Sequence, residues 1–555
     1  MTRREREHPL LVLGASALVS LLLLRNHVLP LGAIPQAGGD YGLMAWNLWV
    51  VNESITHGKS PLRTDLIYHP IGASLARHTL VAGLFPLTFA TQQLARHDPR
   101  YPLYAYRVSI LACFTLALGL TYLALRRLGA PPLASAAPAL QYAFSPFARL
   151  HIPHLNHIAA AFLLPLVTLA LLRLWRQPRP LAAAAAGLLL AAAVYFSELT
   201  AFLYLALLLA ALWAVAVPSA RAALVSRARA LGVLGAACGL AAFAAAFAPF
   251  AAGWASDEGR APRARQAANW SANAAGFVIP DPAQTPVYRG PFAAAASAWA
   301  SAGIGGREVF LGFPMIVFAG IGLARCRLPT KGLFAFIALV FLLLSLGPLL
   351  KVGPAGTSIP LPYAALMAVP PFEYGRTPVR SVLFALFALA PLAACGLAWT
   401  AERIGRLGPP LAAAVVLWSL AEAWAPAPAA PSYHPPAALA QLVPGPVVNV
   451  PISVFDGAAV LLQIFHGHPI ATGFVSRRTP AQLGYVRSLD LLLNRDPTAF
   501  VAYVRSIGFS NVILGPGTPR ELAQALAAQP INVVDVRRGD EPPPPRPAEE
   551  ADPTQ

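Results

Sequence analysis

Charge is what this 555-residue chain has least of. Only 12% of its residues are charged, and only 24 are Asp or Glu. Soluble domains carry roughly a quarter charged residues. With 57% hydrophobic residues and a mean hydropathy of +0.57, composition points to the bilayer. Cysteine is scarce too. Cys113, Cys238, Cys326 and Cys395 match no metal-ligand spacing, and no disulfide is expected. The chain has no Walker A loop, no GxGxxG opening a helix after a strand and no GxSxG, so ATP-driven and nucleotide-cofactor chemistry find no support. It shows no repeat with a period of 20–50 residues.

Apolar runs of spanning length recur from residue 10 to residue 425. The net charge of +17 would suit a nucleic-acid partner, but the arginines sit in short clusters between apolar runs. There they act as topology signals and attract membrane lipids. Arg3, Arg4 and Arg6 precede an uncleaved first span at 10–30. Later spans are expected at 103–125, 132–147, 157–174, 181–196, 199–217, 231–251, 307–324, 332–350, 380–399 and 409–425, eleven in all. Thr79–Leu94 is apolar but short and reads as an interfacial or half-inserted helix. This count puts Arg126, Arg127, Arg173, Arg176, Arg325, Arg327, Lys331 and Arg403 on the cytoplasmic side, with the C-terminus outside.

The polar residues then gather in outer segments. The first, 31–102, holds Asp40, Glu53 and Asp65, and also Tyr41, Trp46, Trp49 and Tyr68, residue types that favour the interface between hydrocarbon and water. Asp40 suits a general base, a ligand to a divalent cation beside a phosphate, or a helix cap, since DYGLMAWNLWVV continues in helical period. Glu53 and Asp65 are further catalytic candidates; solvation alone would also account for them. His151, His154 and His157 in SPFARLHIPHLNH would share a helix face, although Pro153 breaks regular helix there. Three histidines suit a phosphate, a sugar or a metal; phosphate or sugar contact is preferred, and interfacial polarity is the plain alternative. Glu198, between two apolar runs, is either functional or a cap on the next helix. Arg376 and Arg380 in EYGRTPVR suit an anionic head group or diphosphate, or a pairing with Glu373. Two further outer segments are expected at 253–305 and 351–379.

Residues 426–431, APAPAA, read as a loose linker. Beyond it, VVNVPI, NVILGP and INVVDV read as strands, and PTAFVAYVRSIGF and RELAQALAAQ as helices. A small α/β domain over 432–535 is the expectation, followed by a Pro-rich tail at 536–555. The fold class is thus an all-α polytopic membrane protein over 1–425, carrying a small extracytoplasmic α/β C-terminal domain.

GGDYGLMAWNLWVV, TDLIYHPIGASLARHT, PHLNHIAAAFLLPLVTLALLRLW, REVFLGFPMIVFAGIGL and GRTPVRSVLFALFALAPLAACGLA resemble segments of bacterial GT-C-like membrane proteins. The order of parts also resembles the GT-C class of integral-membrane glycosyltransferases. That resemblance implies a polyprenyl-phosphate sugar donor, an envelope glycan, lipid or protein acceptor, and work at the outer face of the cytoplasmic membrane. It implies Asp40 as base or metal ligand, with Mg or Mn as the candidate cation. Many GT-C enzymes carry two adjacent acids at that place; here Tyr41 follows Asp40. A transporter or flippase, and a non-catalytic envelope assembly protein, are the alternative readings.

Overall fold

A computed structural model describes residues 8–35, 39–76, 78–96, 98–177, 179–218, 221–222, 239, 264–301, 309–353, 355–368, 377–425, 430–453, 456–476 and 478–537. The described residues form two compact units. One draws on Met1–Val28, Val108–Pro249 and Arg260–Pro428, the other on Leu29–Arg107 and Ala429–Gln555.

The first unit is helical. Among the described residues, four helical stretches are long and apolar enough to cross a bilayer: Pro9–Val28, Tyr101–Arg127, Leu155–Arg176 and Pro378–Arg403. Leu10, Leu11, Leu18 and Leu22 in the first of these are each at least 65% exposed, as side chains bathed in lipid would be. Among the described residues, four of the eleven expected spans are met by helices of spanning length. The expected spans at 181–196, 199–217, 307–324, 332–350 and 409–425 are met by helices of 14, 17, 13, 15 and 16 residues. The shortest rises only about 20 Å, against a hydrocarbon core of about 30 Å. The expected span at 132–147 breaks into Pro132–Ala143 and Pro146–Leu150, because Pro146 opens a new helix capped by the Ser145 side chain. Residues 231–251 lie outside the described set.

At the centre of this unit, the Val382–Arg403 helix buries thirteen of its residues. It crosses Phe313–Arg325 at Gly322 and Gly396. A Cβ on Gly396 would lie 1.9 Å from the Phe318 carbonyl oxygen, and one on Gly322 would lie 2.0 Å from that of Leu392. Without a hydrophobic drive between helices in lipid, such close backbone approach supplies the packing energy. On another side Phe341 of the Lys331–Ser345 helix stacks on Phe384, with centroids 5.0 Å apart.

The second unit contains a three-stranded parallel sheet in the order Val447–Val450, Asn511–Leu514, Asn532–Asp535. The middle strand is buried at all four positions, the continuous apolar pattern of a strand covered on both faces. The crossovers carry the helices Gly457–His466, Pro480–Arg495, Pro497–Ser506 and Arg520–Ala527. Phe500, Val504, Leu489 and Leu526 fill the core against Val448, Val512 and Leu514.

The segment at 31–102 is not an open polar loop. Its helix Gly39–Thr56 buries eleven successive residues, Gly42 to Asn52, and packs on Gly457–His466. Trp46, Trp49 and Tyr68 are therefore core residues, 0%, 7% and 0% exposed, rather than a belt at the membrane interface. Trp46 Nε1 donates to Gln463 Oε1 at 2.7 Å, and the Tyr68 hydroxyl donates to the Gly473 carbonyl at 3.0 Å. Gln482 Nε2 donates to the Gly72 carbonyl and the Tyr485 hydroxyl to that of His69. The Phe85–Leu94 helix has ten residues and rises about 15 Å, too little to cross. Of the expected linker, 426–429 and the tail from 538 onward lie outside the described residues. Ser432 pairs with Ala33, and the Tyr433 N–H donates to the Gly32 carbonyl, so the chain is tied to the unit from that point.

Candidate functional site

The polar centre of the helical unit is built at a helix break. Ser145 caps the Pro146–Leu150 turn, and the next helix starts only at Leu155. His151 and His154 thus lie in the connection, and His157 in the first turn of Leu155–Arg176. The three rings converge, with centroids 5.5 Å apart for His151–His154, 5.0 Å for His151–His157 and 4.9 Å for His154–His157. His151 stacks on Phe147 at 4.1 Å, and its Nδ1 lies 2.8 Å from the Phe147 carbonyl.

Glu198 joins this cluster from the turn between Pro180–Ala193 and Thr200–Ala216. Its carboxylate lies 3.2 Å from His157 Nε2 and pairs with the Arg380 guanidinium. His157 is 1% exposed, Arg380 19% and Glu198 34%. Arg380 comes from the turn Pro378–Ser381 that opens the central helix. Five of the six substrate-contact candidates therefore meet, although 229 residues separate His151 from Arg380. Arg380 pairs with Glu198; the expected pairing with Glu373 lies outside the described residues, as do Glu373 and Arg376.

A second acid in the same unit escaped sequence reasoning. Glu422, 4% exposed, accepts from the Tyr288 hydroxyl, from the Phe313 N–H at 3.1 Å and from Gln141 Nε2 at 2.9 Å. Arg149 Nη2 donates to its carbonyl at 3.3 Å, which ties down the short helix that leads into His151. An acid inside the apolar run LAAAVVLWSLAEAW was the available signal, the same one that flags Glu198.

Asp40 belongs to the other unit. It sits half-buried in the first turn of Gly39–Thr56, where the helix dipole favours a carboxylate. Gly39, at φ +66°, faces Gly457 so closely that a Cβ on Gly457 would lie 2.4 Å from the Gly39 nitrogen. Asp456 caps that second helix, accepting from the Ala459 N–H and the Thr472 hydroxyl at 2.9 Å each; burial pushes its carboxyl up to about 6. Asp40, Tyr41 and Arg107 all act electrostatically on Tyr106, so the acid's surroundings include two phenols and a guanidinium. Burial pushes the Tyr41 hydroxyl up, with Arg107 opposing.

The structure does not bring Glu53 to Asp40. Glu53 stands about 20 Å farther along the same helix, beside Tyr101 at 3.4 Å and His57 at 3.5 Å. Asp65 is exposed in the turn that Gly72 closes at φ +75°. A Mg or Mn ion needs several oxygen ligands, of which Asp40 would supply one.

No family model matches this chain, and no curated protein matches it. Among solved structures, the Archaeoglobus fulgidus oligosaccharyltransferase in its apo form is similar at a TM-score of 0.50 and 13% identity, over 87% of this chain and 66% of that one. This chain thus spans just under two thirds of that protein's length. A structure of the same archaeal enzyme, AglB, in complex with an inhibitory peptide and a dolichol-phosphate is similar at 0.48 and 13% identity, over 85% and 64%. ArnT from Cupriavidus metallidurans bound to undecaprenyl phosphate is similar at 0.45 and 12%, over 86% and 87%.

Proposed function

We propose, from the premise that this chain has the GT-C fold of glycosyltransferases that use polyprenyl-phosphate-linked donors, that it transfers a sugar from such a donor to an envelope glycan, lipid or protein. The work is done at the outer face of the cytoplasmic membrane, with the N-terminus inside and the 432–535 region outside, as the placement of the basic clusters favours. The observation that carries the reading is the Arg380–Glu198–His157 cluster. Ionisable groups set among apolar helices mark a substrate path, and the planar Arg380 fork matches a phosphate bidentately.

The residues divide the work. Arg380 takes the donor phosphate; Glu198 holds the guanidinium in place, and His151 and His154 offer further contacts to phosphate or sugar. The resemblance makes Asp40, in the other unit, the base that accepts the proton of the acceptor hydroxyl. The lipid phosphate is a good leaving group, so positioning and charge stabilisation supply most of the rate. Glu53 stands about 20 Å from Asp40 along its helix, too far to share its role.

Equilibrium binding of a radiolabelled polyprenyl phosphate to the full chain in nanodiscs tests the Arg380 assignment. Arg380→Gln is expected to weaken binding at least tenfold, with Arg380→Lys intermediate because it keeps the charge and loses the fork. Equal affinity for all three proteins would remove the phosphate from this cluster.

A further inference from the structure

We propose that His151, His154 and His157 form a transition-metal site of the zinc class. One candidate ligand atom from each ring lies within 4.8 Å of the other two, and this is the one group of three His, Cys, Asp or Glu found so disposed among the described residues. In a tetrahedral site with nitrogens about 2.1 Å from the ion, those atoms stand about 3.4 Å apart.

The hydrogen bonds decide which nitrogen each ring presents. His151 Nδ1 faces the Phe147 carbonyl at 2.8 Å and must carry the proton to donate there, which leaves Nε2 with its lone pair. His157 Nε2 faces the Glu198 carboxylate at 3.2 Å and likewise donates. Its Nδ1 is then a lone-pair donor, fully buried and without a hydrogen-bond partner in the structure. A metal-binding histidine ordinarily gives its second ring N–H to a carboxylate or a backbone carbonyl, which fixes the tautomer and raises ligand basicity. Both forms of that support are present. Arg380 holds Glu198 in turn and offsets the carboxylate's charge.

Imidazole nitrogens favour zinc, copper, nickel or iron over the magnesium and calcium that oxygen ligands select. Three neutral imidazoles suit a cation, whereas three imidazoliums beside Arg380 would gather four like charges. Three protein ligands leave a fourth position for water or a substrate oxygen, the pattern of a reactive rather than a structural site. This inference concerns the cluster to which the transfer reading assigns the donor phosphate. Its test reads metal directly, so either can fail without the other.

The full chain, purified in detergent without a polyhistidine tag and stripped with a chelator, is titrated with Co2+ and with Zn2+. Wild type is expected to bind one ion per chain and to develop the intense visible bands of four-coordinate cobalt, with an excess of zinc removing them. His151→Gln, His154→Gln and His157→Gln should each abolish the bands while the protein keeps its gel-filtration profile. Glu198→Gln should keep the bands and weaken affinity about 10–100-fold, as loss of a ligand's hydrogen-bond partner does. Wild type that binds no more tightly than the triple His→Gln variant would overturn the site.

Discussion

At the residue scale, the most informative groups are acids in places that burial makes costly. Glu198 was legible because it interrupts two apolar runs, and Glu422 carried the same signal in LAAAVVLWSLAEAW. What neither run could reveal was the partner. Arg380 and Tyr288 reach these acids across 182 and 134 residues, and no local pattern encodes a pairing at that separation. Asp456 is a third case, with a stability consequence. Burial raises its folded carboxyl to about 6, above the ordinary value of about 3.9. The folded state therefore binds a proton more tightly than the unfolded chain between those values. Its contribution to stability is fully present below about pH 4 and is lost as pH rises through about 6. Asp456→Asn keeps a capping side chain and cannot titrate. Thermal unfolding between pH 4 and 7 is expected to show wild type losing stability relative to this variant as pH rises. Parallel curves would refute the assignment.

At the element scale, the strands VVNV and NVIL were legible because short runs rich in Val and Ile suit a strand covered on both faces. The Gly39–Thr56 helix was legible as a helical period but not as a buried element. Its burial is completed by Gly457–His466, more than four hundred residues away, and Trp46 and Tyr68 keep their polar atoms satisfied only there. Aromatics that suit an interface equally suit a core when a distant partner supplies the hydrogen bond. The close crossing of Phe313–Arg325 with Val382–Arg403 rests on two glycines. Gly396→Ala is expected to lower stability by about 1–3 kcal/mol or more, because its methyl must displace the Phe318 carbonyl. Gly320→Ala, on the same helix as Gly322 but with nothing within 4 Å of the new carbon, should be neutral or slightly stabilising. Melting temperatures of the two variants in detergent decide this; equal losses would mean that the crossing is not the tight contact described.

At the scale of the whole molecule, composition alone was enough for the membrane class, since a chain with 12% charge cannot dress this much apolar surface. Span number was less legible. Apolar runs do not reveal where a helix stops, and Ser145–Pro146 ends one run in mid-course. Nor was the grouping of 31–102 with the C-terminal strands readable, because it rests on contacts such as Gln482 to Gly72 that join the two ends of the chain. The central claim remains the transfer of a sugar from a lipid-phosphate donor. Its most direct measurement is the transfer of label from a radiolabelled polyprenyl-phosphate sugar pool to membrane acceptors, by wild type and by Asp40→Asn at equal protein level. Asn keeps the size and capping capacity of the side chain and removes its basicity. Wild type is expected to transfer label, and the variant to be slower by about 10²–10⁴-fold with unchanged folding. A wild type that transfers nothing from any such donor would contradict the account, and a variant as fast as wild type would remove Asp40 from it.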